Sequence, residues 1–206
     1  MSGRPRDAQI DRAVLGAVSD LLEESGYREL AVERVARRAG VSKAAVYRRW
    51  PDRQRLVLAE LSRRLGRVET PDTGCTLCDL NESLALFART FRCMGPEFFG
   101  PLLADCSSDP ELRRTFMDTL FDPPRAAVRT TLEKGRERGD LRADADLELT
   151  VDGLASLVHY RLLFGHAPVD AREIGRAVTG LLRGLASDYD ALAAKAAGHA
   201  EGAHPR

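Results

Sequence analysis

The sequence is poor in several features that define large classes of proteins. Aromatic residues make up 6% of its 206 residues, four residues are cysteine, and the 31 lysines and arginines equal the 31 aspartates and glutamates. Strand patterns are nearly absent, because β-branched residues seldom cluster and no stretch alternates apolar with polar residues. The longest apolar stretch, 147–164, contains Asp152, His159 and Arg161, so it does not predict a membrane-spanning helix.

These absences argue against several kinds of protein. The N-terminal segment has no apolar core, so no secretory signal is expected, and four cysteines without a signal do not predict a disulfide scaffold. Phosphate-binding glycine loops, zinc-protease motifs and nucleophile elbows are missing, so the sequence predicts no enzyme, no cofactor and no metal site. Because 44% of the residues are apolar, we expect a soluble cytoplasmic protein with a sizeable core.

The zero net charge conceals a division of the chain. Residues 1–65 hold 14 basic and 9 acidic residues, a balance of +5, whereas residues 66–206 hold 17 and 22, a balance of −5. A basic segment joined to an acidic remainder is a hint of nucleic-acid binding. An imbalance of this size also arises when charged residues are distributed by chance. Charge alone therefore does not decide between nucleic-acid binding and a chance distribution.

Helical periodicity runs through the whole chain. In the first predicted helix, apolar residues from Ile10 to Leu22 recur on one face, and Gly26 follows as a stop signal. A short second helix ends at Gly40, a third runs from 42 to about 50, and a fourth begins after Asp52. A turn-rich stretch at 69–75 then predicts a domain boundary.

Further helices are predicted beyond this boundary. Short helices are separated at Gly95-Pro96, Asp109-Pro110 and Pro123-Pro124, and longer ones cover about 125–138, 145–164 and 171–185. The helix at 145–164 is apolar nearly all round, which favours burial on more than one side and hence a partner subunit. The sequence therefore predicts an all-α protein with domains at 1–68 and 76–190 and a disordered tail at 191–206.

The segment 31–50 carries the strongest local pattern. Two short helices meet at a tight turn centred on Gly40, which is the layout of a helix-turn-helix. Val35 and Val46 are expected to pack the two helices together, while the second helix presents Lys43, Tyr47 and Arg48 outward. An arginine fork can read a guanine edge in the major groove, and lysine or tyrosine suits phosphate oxygens.

Residues 8–65 resemble the DNA-binding domain of the tetracycline-repressor (TetR) family. The resemblance rests on Gly26-Tyr27, on the pattern VxxVAxxAGVSKxxVYRxW at 32–50, and on Asp52 with Leu56. It implies an N-terminal three-helix helix-turn-helix domain joined to a helical-bundle domain for ligand binding and dimerisation. The sequence departs from the family pattern at Ala31 and Ala45, where threonine is usual, and at Trp50, where phenylalanine is usual.

The resemblance also implies which residues meet DNA. Arg53 stands where the family usually has a phosphate-binding lysine. The expected DNA contacts are Arg4, Arg6, Ser42, Lys43, Ala44, Ala45, Tyr47, Arg48, Arg49 and Arg53.

For the C-terminal part the resemblance is more general and implies a homodimer with an inducer pocket. The expected partners of the whole chain are a DNA operator and a small apolar or amphipathic effector. Apolar stripes predict a dimer interface of Leu154, Leu157, Val158, Leu162, Val178, Leu181 and Leu182. Aromatic and methionine residues interrupted by glycine and proline predict an effector pocket. Its expected lining is Phe87, Phe91, Met94, Phe98, Phe99, Leu103, Phe116, Met117, Leu120, Phe121 and His159.

Two features leave alternatives open. His159 lies in an apolar helix, where a histidine of the core or of an interface is the more common case than a ligand contact. Cys75 and Cys78 have the CxxC spacing of a zinc site or a redox dithiol, but no second pair accompanies them, so incidental thiols are the simpler interpretation. A thiol-based redox sensor and a helical enzyme stay as alternative functions.

Overall fold

The computed structural model describes residues 4–66, 68–92 and 96–202, with side chains for 8–66, 68–88 and 98–199. Over these ranges the fold is all-α, as predicted, with no β-strand. The helices are α1 (Arg4–Ser25), α2 (Val32–Ala39), α3 (Lys43–Tyr47), α4 (Arg53–Leu65), α5 (Thr76–Arg92), α6 (Pro96–Ser107), α7 (Pro110–Phe116), a π-helical turn (Met117–Phe121), α8 (Asp122–Glu137), α9 (Leu147–Phe164), α10 (Ala171–Leu185) and α11 (Tyr189–Gly202).

The chain divides into two compact units. Unit 1 comprises residues 1–66 and 94–121, and unit 2 comprises residues 67–93 and 122–206. The chain first passes from unit 1 to unit 2 close to the turn-rich stretch that predicted a boundary. Helices α6 and α7 and the π-helical turn, however, pack against α4 rather than with the helices that follow them. Local turn signals mark where a chain bends, and they do not reveal which distant helices share a core.

Unit 1 is built around an apolar core that α1, α2 and α4 share. Val14, Val18, Val35, Val46 and Leu56 are fully buried there. Each fully buried side chain of this size contributes roughly 1.5–3 kcal/mol relative to an exposed one. The helix-turn-helix is therefore a rigid part of this core.

Unit 2 is centred on α5, which packs against α8, α9, α10 and α11. Leu84 of α5, Leu132 of α8, Val158 of α9 and Val178 of α10 are fully buried. At Gly135 a Cβ atom would lie 2.6 Å from the hydroxyl oxygen of Thr76, so this glycine lets α8 approach the start of α5 closely.

Three local predictions differ from the structure. Pro123 and Pro124 do not separate two helices; they lie in the first turn of α8, where an amide hydrogen is not required for the helix. Helix α3 ends at Tyr47, and residues 48 and 49 form a turn. The tail predicted to be disordered forms α11 up to Gly202, because Asp188 caps its start and Leu192 is buried in unit 2.

Candidate DNA interface and effector region

The turn between α2 and α3 fixes the orientation of α3. Gly40 adopts a left-handed conformation with φ 67°, and the amide of Val41 donates to the carbonyl of Ala36 at 3.0 Å. The hydroxyl of Ser42 accepts the amide of Ala45 at 3.2 Å and caps α3. Ala31 starts α2 without a side-chain cap, because alanine has no hydroxyl to accept an amide hydrogen.

The outer face of α3 is exposed and basic. Ser42, Lys43, Ala44 and Arg48 are exposed, and Tyr47 retains 40% of its accessible surface. The ammonium group of Lys43 pairs with the carboxylate of Glu33 and lies 5.6 Å from the centre of the Tyr47 ring. Arg48 has no ion-pair partner among the described residues. Its guanidinium is therefore available to a partner outside the chain.

Two arginines predicted to contact DNA are engaged inside unit 1. Arg49 is 14% exposed, and its Nε lies 2.6 Å from the carboxylate of Asp11 on α1. Arg53 at the start of α4 lies 2.7 Å from the carboxylate of Asp105 on α6. Ala45 is half-buried and presents little surface. The side chains of Arg4 and Arg6 lie outside the described residues.

Asp105 organises a cluster that sequence reasoning missed, here called the Asp105 hub. Its Oδ2 accepts the Tyr27 hydroxyl at 2.6 Å, Arg53 at 2.7 Å and Gln54 at 3.1 Å. The Arg53 guanidinium also stacks 4.5 Å from the centre of the Tyr27 ring. The hub thus joins α6 to the turn that follows α1 and to the first turn of α4. A single acid in an otherwise apolar stretch, 98–106, is the sequence signal that could have found it.

The hub perturbs the ionisation of its members. Burial alone would raise the pKa of Asp105, but the hydrogen bonds from Tyr27, Arg53 and Gln54 outweigh it and lower this pKa below its usual value. Burial, together with the hydrogen bond to Asp105, raises the pKa of Tyr27 far above its usual range. Asp105 therefore carries its charge, and Tyr27 keeps its proton, throughout the physiological range.

The family comparison is decisive. The family model described as "Bacterial regulatory proteins, tetR family" matches residues 14–59. The model described as "Tetracyclin repressor-like, C-terminal domain" matches residues 70–181, more than half of the chain. The chain belongs to the TetR family of transcriptional regulators.

Individual relatives agree with this assignment. The HTH-type transcriptional regulator YdeS of Bacillus subtilis (strain 168) is 30% identical over 184 residues, 89% of this chain and 93% of that protein. AqdR of Rhodococcus erythropolis is 33% identical over 159 residues, 75% and 74% of the two chains. The crystal structure of the TetR family regulator SCO0332 matches with a TM-score of 0.70 and 32% identity, over 85% of this chain and 98% of that one. This TetR-family protein is a DNA-binding transcriptional regulator and not an enzyme.

The residues predicted to line the regulator's effector pocket fall in both units. In unit 1, Phe99, Phe116 and Leu120 are buried. The ring centre of Phe116 lies 6.0 Å from that of Phe99 and 5.4 Å from that of Phe121. Phe98 is also buried and lies 5.6 Å from the ring of Tyr27. Leu103 is half-buried and Met117 is exposed.

In unit 2, Phe87 and His159 meet edge to face with their ring centres 4.9 Å apart. Burial lowers the pKa of His159 to about 4, so the imidazole is neutral near pH 7. The side chain of Phe91 and all of Met94 lie outside the described residues. A separate polar cleft of about 280 Å³ lies along α8 and α9, lined by Asp122, Arg125, Ala126, Arg129 and Val151.

The residues of the predicted dimer interface differ in burial within one chain. Leu154, Val158, Val178 and Leu182 are at most 2% exposed within one chain, because they pack inside unit 2. They have no surface to offer a second copy, whereas Leu157, Leu162 and Leu181 are half-buried. The exposed side of α9 instead carries three large apolar residues, namely Leu149 (70% exposed), Tyr160 (58%) and Phe164 (65%). Their spacings of 11 and 4 residues place them on one helix face.

Two further observations concern the alternatives. Over the described residues, no three His, Cys, Asp or Glu side chains are grouped so as to hold a metal ion, and no helix is long and apolar enough to cross a bilayer. Cys75 and Cys78 are joined by a disulfide.

Proposed function

We propose that this regulator is a repressor that binds a pseudo-palindromic operator as a homodimer and is released by a small apolar or amphipathic effector. The exposed basic face of α3 carries the proposal, since its orientation is fixed by the Gly40 turn and by the Ser42 cap. A relative named "DNA-binding transcriptional repressor TetR" from Mycobacteroides abscessus, 28% identical over 172 residues, supports repression over activation. Such a protein acts in the bacterial cytoplasm, where its operator lies.

The residues of this face have different roles in the proposal. Arg48 reads a base edge, because its fork has no competing ion pair among the described residues. Lys43 and Tyr47 meet phosphate oxygens, and Lys43 exchanges its exposed partner Glu33 for the DNA backbone. Ser42 and Ala44 allow close approach because their side chains are small. Arg49 holds α1 against α3 and supports the recognition face from behind.

The Asp105 hub is the proposed point of control. Arg53 can meet a phosphate only when it leaves Asp105, so a movement of α6 determines whether this arginine is available. The same helix carries Phe98, Phe99 and Leu103 of the predicted effector pocket. An effector that shifts α6 therefore changes the first turn of α4 directly. A coupling of about 1–3 kcal/mol is typical for such a switch.

Dimerisation is assigned to the exposed face of α9. Leu149, Tyr160 and Phe164 form an apolar stripe that a two-fold related copy would cover. Two copies would then present two α3 helices to half-sites on one duplex. This assignment replaces the buried residues that the sequence suggested.

The proposal is tested by selecting duplexes from a random pool with the purified full chain. We expect a pseudo-palindrome whose half-site centres lie about one helical turn or a multiple of it apart. Leu149→Glu combined with Phe164→Glu should halve the mass measured by light scattering and weaken binding to the paired site, while Ala191→Glu on exposed α11 serves as the control. Selection of unrelated sequences, or a monomeric wild-type chain, would contradict the proposal.

A further inference from the structure

The strongest feature that DNA recognition does not use is the Cys75–Cys78 disulfide at the start of α5. The two Cα atoms lie 5.3 Å apart, and Cys75 directly precedes the first residue of the helix. The sulfur of Cys75 accepts the amide of Cys78 at 3.3 Å. Cys75 therefore occupies the position of a helix cap, where the amides of the first turn favour a negatively charged sulfur.

The surrounding loop holds both cysteines in place. The hydroxyl of Thr73 accepts the amide of Cys75 at 3.3 Å and donates to Asp79 at 2.7 Å. The amide of Thr73 donates to the same carboxylate oxygen at 3.0 Å. Thr76, which directly follows Cys75, is fully buried, and its hydroxyl donates to the carboxylate of Asp140 at 2.6 Å. None of these bonds requires the disulfide, so the two sulfurs stay adjacent when it is reduced.

The position of this disulfide does not suit a purely structural bond. A disulfide stabilises a fold mainly by closing a loop of the unfolded chain, and the effect grows with the length of that loop. The Cys75–Cys78 disulfide closes only the short loop of the CxxC segment, inside a single helical turn, and it joins no distant parts of the chain.

The accessibility of the two sulfurs is unequal. Cys75 is fully buried and Cys78 is half-buried, so an external reagent reaches Cys78 first. The free thiol of Cys106 provides a contrast within the chain. It is fully buried, and burial raises its pKa to about 11, which leaves it protonated and unreactive at neutral pH.

We propose that Cys75 and Cys78 form a reversible dithiol–disulfide site whose oxidant is a low-molecular-weight disulfide. The thiolate of Cys78 attacks one sulfur of the small disulfide, which expels one small thiolate and leaves a mixed disulfide on Cys78. The thiolate of Cys75 then attacks the sulfur of Cys78 and expels the second small thiolate. The two protons lost by the cysteines pass to the two expelled thiolates. The protein is oxidised by two electrons, and the small disulfide is reduced to two thiols.

The test uses glutathione disulfide on the reduced full chain, followed by acid quenching, unfolding, labelling with a maleimide and peptide mapping. Oxidation should remove the label from Cys75 and Cys78 together and leave Cys106 labelled, and excess reduced glutathione should restore both labels. Labels that persist at Cys75 and Cys78 would overturn the proposal, as would a disulfide that forms but resists reduction in the folded chain.

Two single variants separate the roles of the cysteines. Cys75→Ser should accumulate a glutathione adduct on Cys78, because the resolving thiol is absent, and serine keeps a cap for the amide of Cys78. Cys78→Ser should form the adduct at least 10-fold more slowly, since Cys75 is buried. Cys106→Ser is the matched control and should leave the exchange of the pair unchanged. Equal adduct formation in the two single variants would overturn the assigned order of attack, and circular dichroism of each variant verifies that its helices are intact.

Discussion

The Asp105 hub of unit 1 and His159 of unit 2 are two titratable sites that the fold holds in opposite ways. Unit 1 holds its charges in ion pairs: Asp105 pairs with Arg53, each about one-third exposed, and the fully buried Glu60 pairs with Arg63 and Arg64. Unit 2 holds the half-buried imidazole of His159 against the ring of Phe87 and keeps it neutral, since the pKa of His159 is about 4. Paired charges respond to salt and to a competing phosphate, whereas a neutral apolar site responds to acid and to an apolar ligand. Unit 1 therefore carries the salt-dependent ion pairs, and unit 2 carries the acid-sensitive imidazole.

The largest effect expected from this difference is acid destabilisation of unit 2. Because the pKa of His159 is lower in the folded chain than its ordinary value near 6.5, the stabilisation is complete above that value and is lost as the pH falls toward 4. The loss of unfolding free energy should reach at most about 3 kcal/mol. Urea titrations from pH 8 to pH 4, followed by circular dichroism and by the fluorescence of the single Trp50 in unit 1, measure it.

Replacing the half-buried imidazole should abolish this response. His159→Leu should flatten the pH dependence between 6.5 and 4, while His166→Leu at an exposed position should retain it. An acid transition reported first by Trp50 would contradict the comparison, because it would place the sensitive group in unit 1.

The second effect concerns DNA specificity. Arg48→Ala should weaken binding to the selected operator by about 1–3 kcal/mol, or roughly 5–150-fold, because one bidentate base contact is lost. Binding to scrambled duplexes should weaken far less. Fluorescence anisotropy with both duplexes measures the ratio, and Arg172→Ala in unit 2 controls for the loss of one positive charge. Equal weakening on both duplexes would assign Arg48 to phosphate instead.

The third effect tests the Asp105 hub. Asp105→Asn should destabilise unit 1 by about 1–2 kcal/mol, a figure reduced for solvent screening because Arg53 and Asp105 are each about one-third exposed. It should also free Arg53 for phosphate and steepen the dependence of log affinity on log salt by about one. A double variant with Arg53→Met should lose the steeper salt dependence. An unchanged salt slope in Asp105→Asn would show that Arg53 stays away from DNA in either state.

The sequence predicted the helix-turn-helix closely because its determinants are local. Gly40 needs a left-handed backbone, Ser42 caps the next helix, and Val35 and Val46 lie within eleven residues of each other. The ends of α9 and α10 were also predicted to within about two residues, since their caps lie beside their apolar stripes.

The remaining features depend on distant contacts. Asp105 meets Tyr27 from 78 residues away, and no periodicity encodes that pairing. The apolar stripes of α9 and α10 were correctly recognised, but a stripe alone does not distinguish a seam within one chain from an interface between two. The burial of Leu154 and Val178 shows that these residues pack within one chain, and the exposure of Tyr160 leaves its ring open to the proposed second copy.

The smallest effect expected is at Lys43, which lies on the same face as Arg48 but carries a different role. Lys43→Gln should weaken binding to operator and scrambled duplexes alike and lower the salt slope by about one, because one phosphate contact is lost without any base contact. Its pairing with exposed Glu33 adds little to folding, so the melting temperature should be nearly unchanged. Glu33→Gln is the matched variant: it removes the competitor for the Lys43 ammonium group and should strengthen binding to both duplexes slightly. If Lys43→Gln instead changed the preferred base at one operator position, Lys43 would be a reader of sequence, and the division of roles across the face of α3 would be wrong.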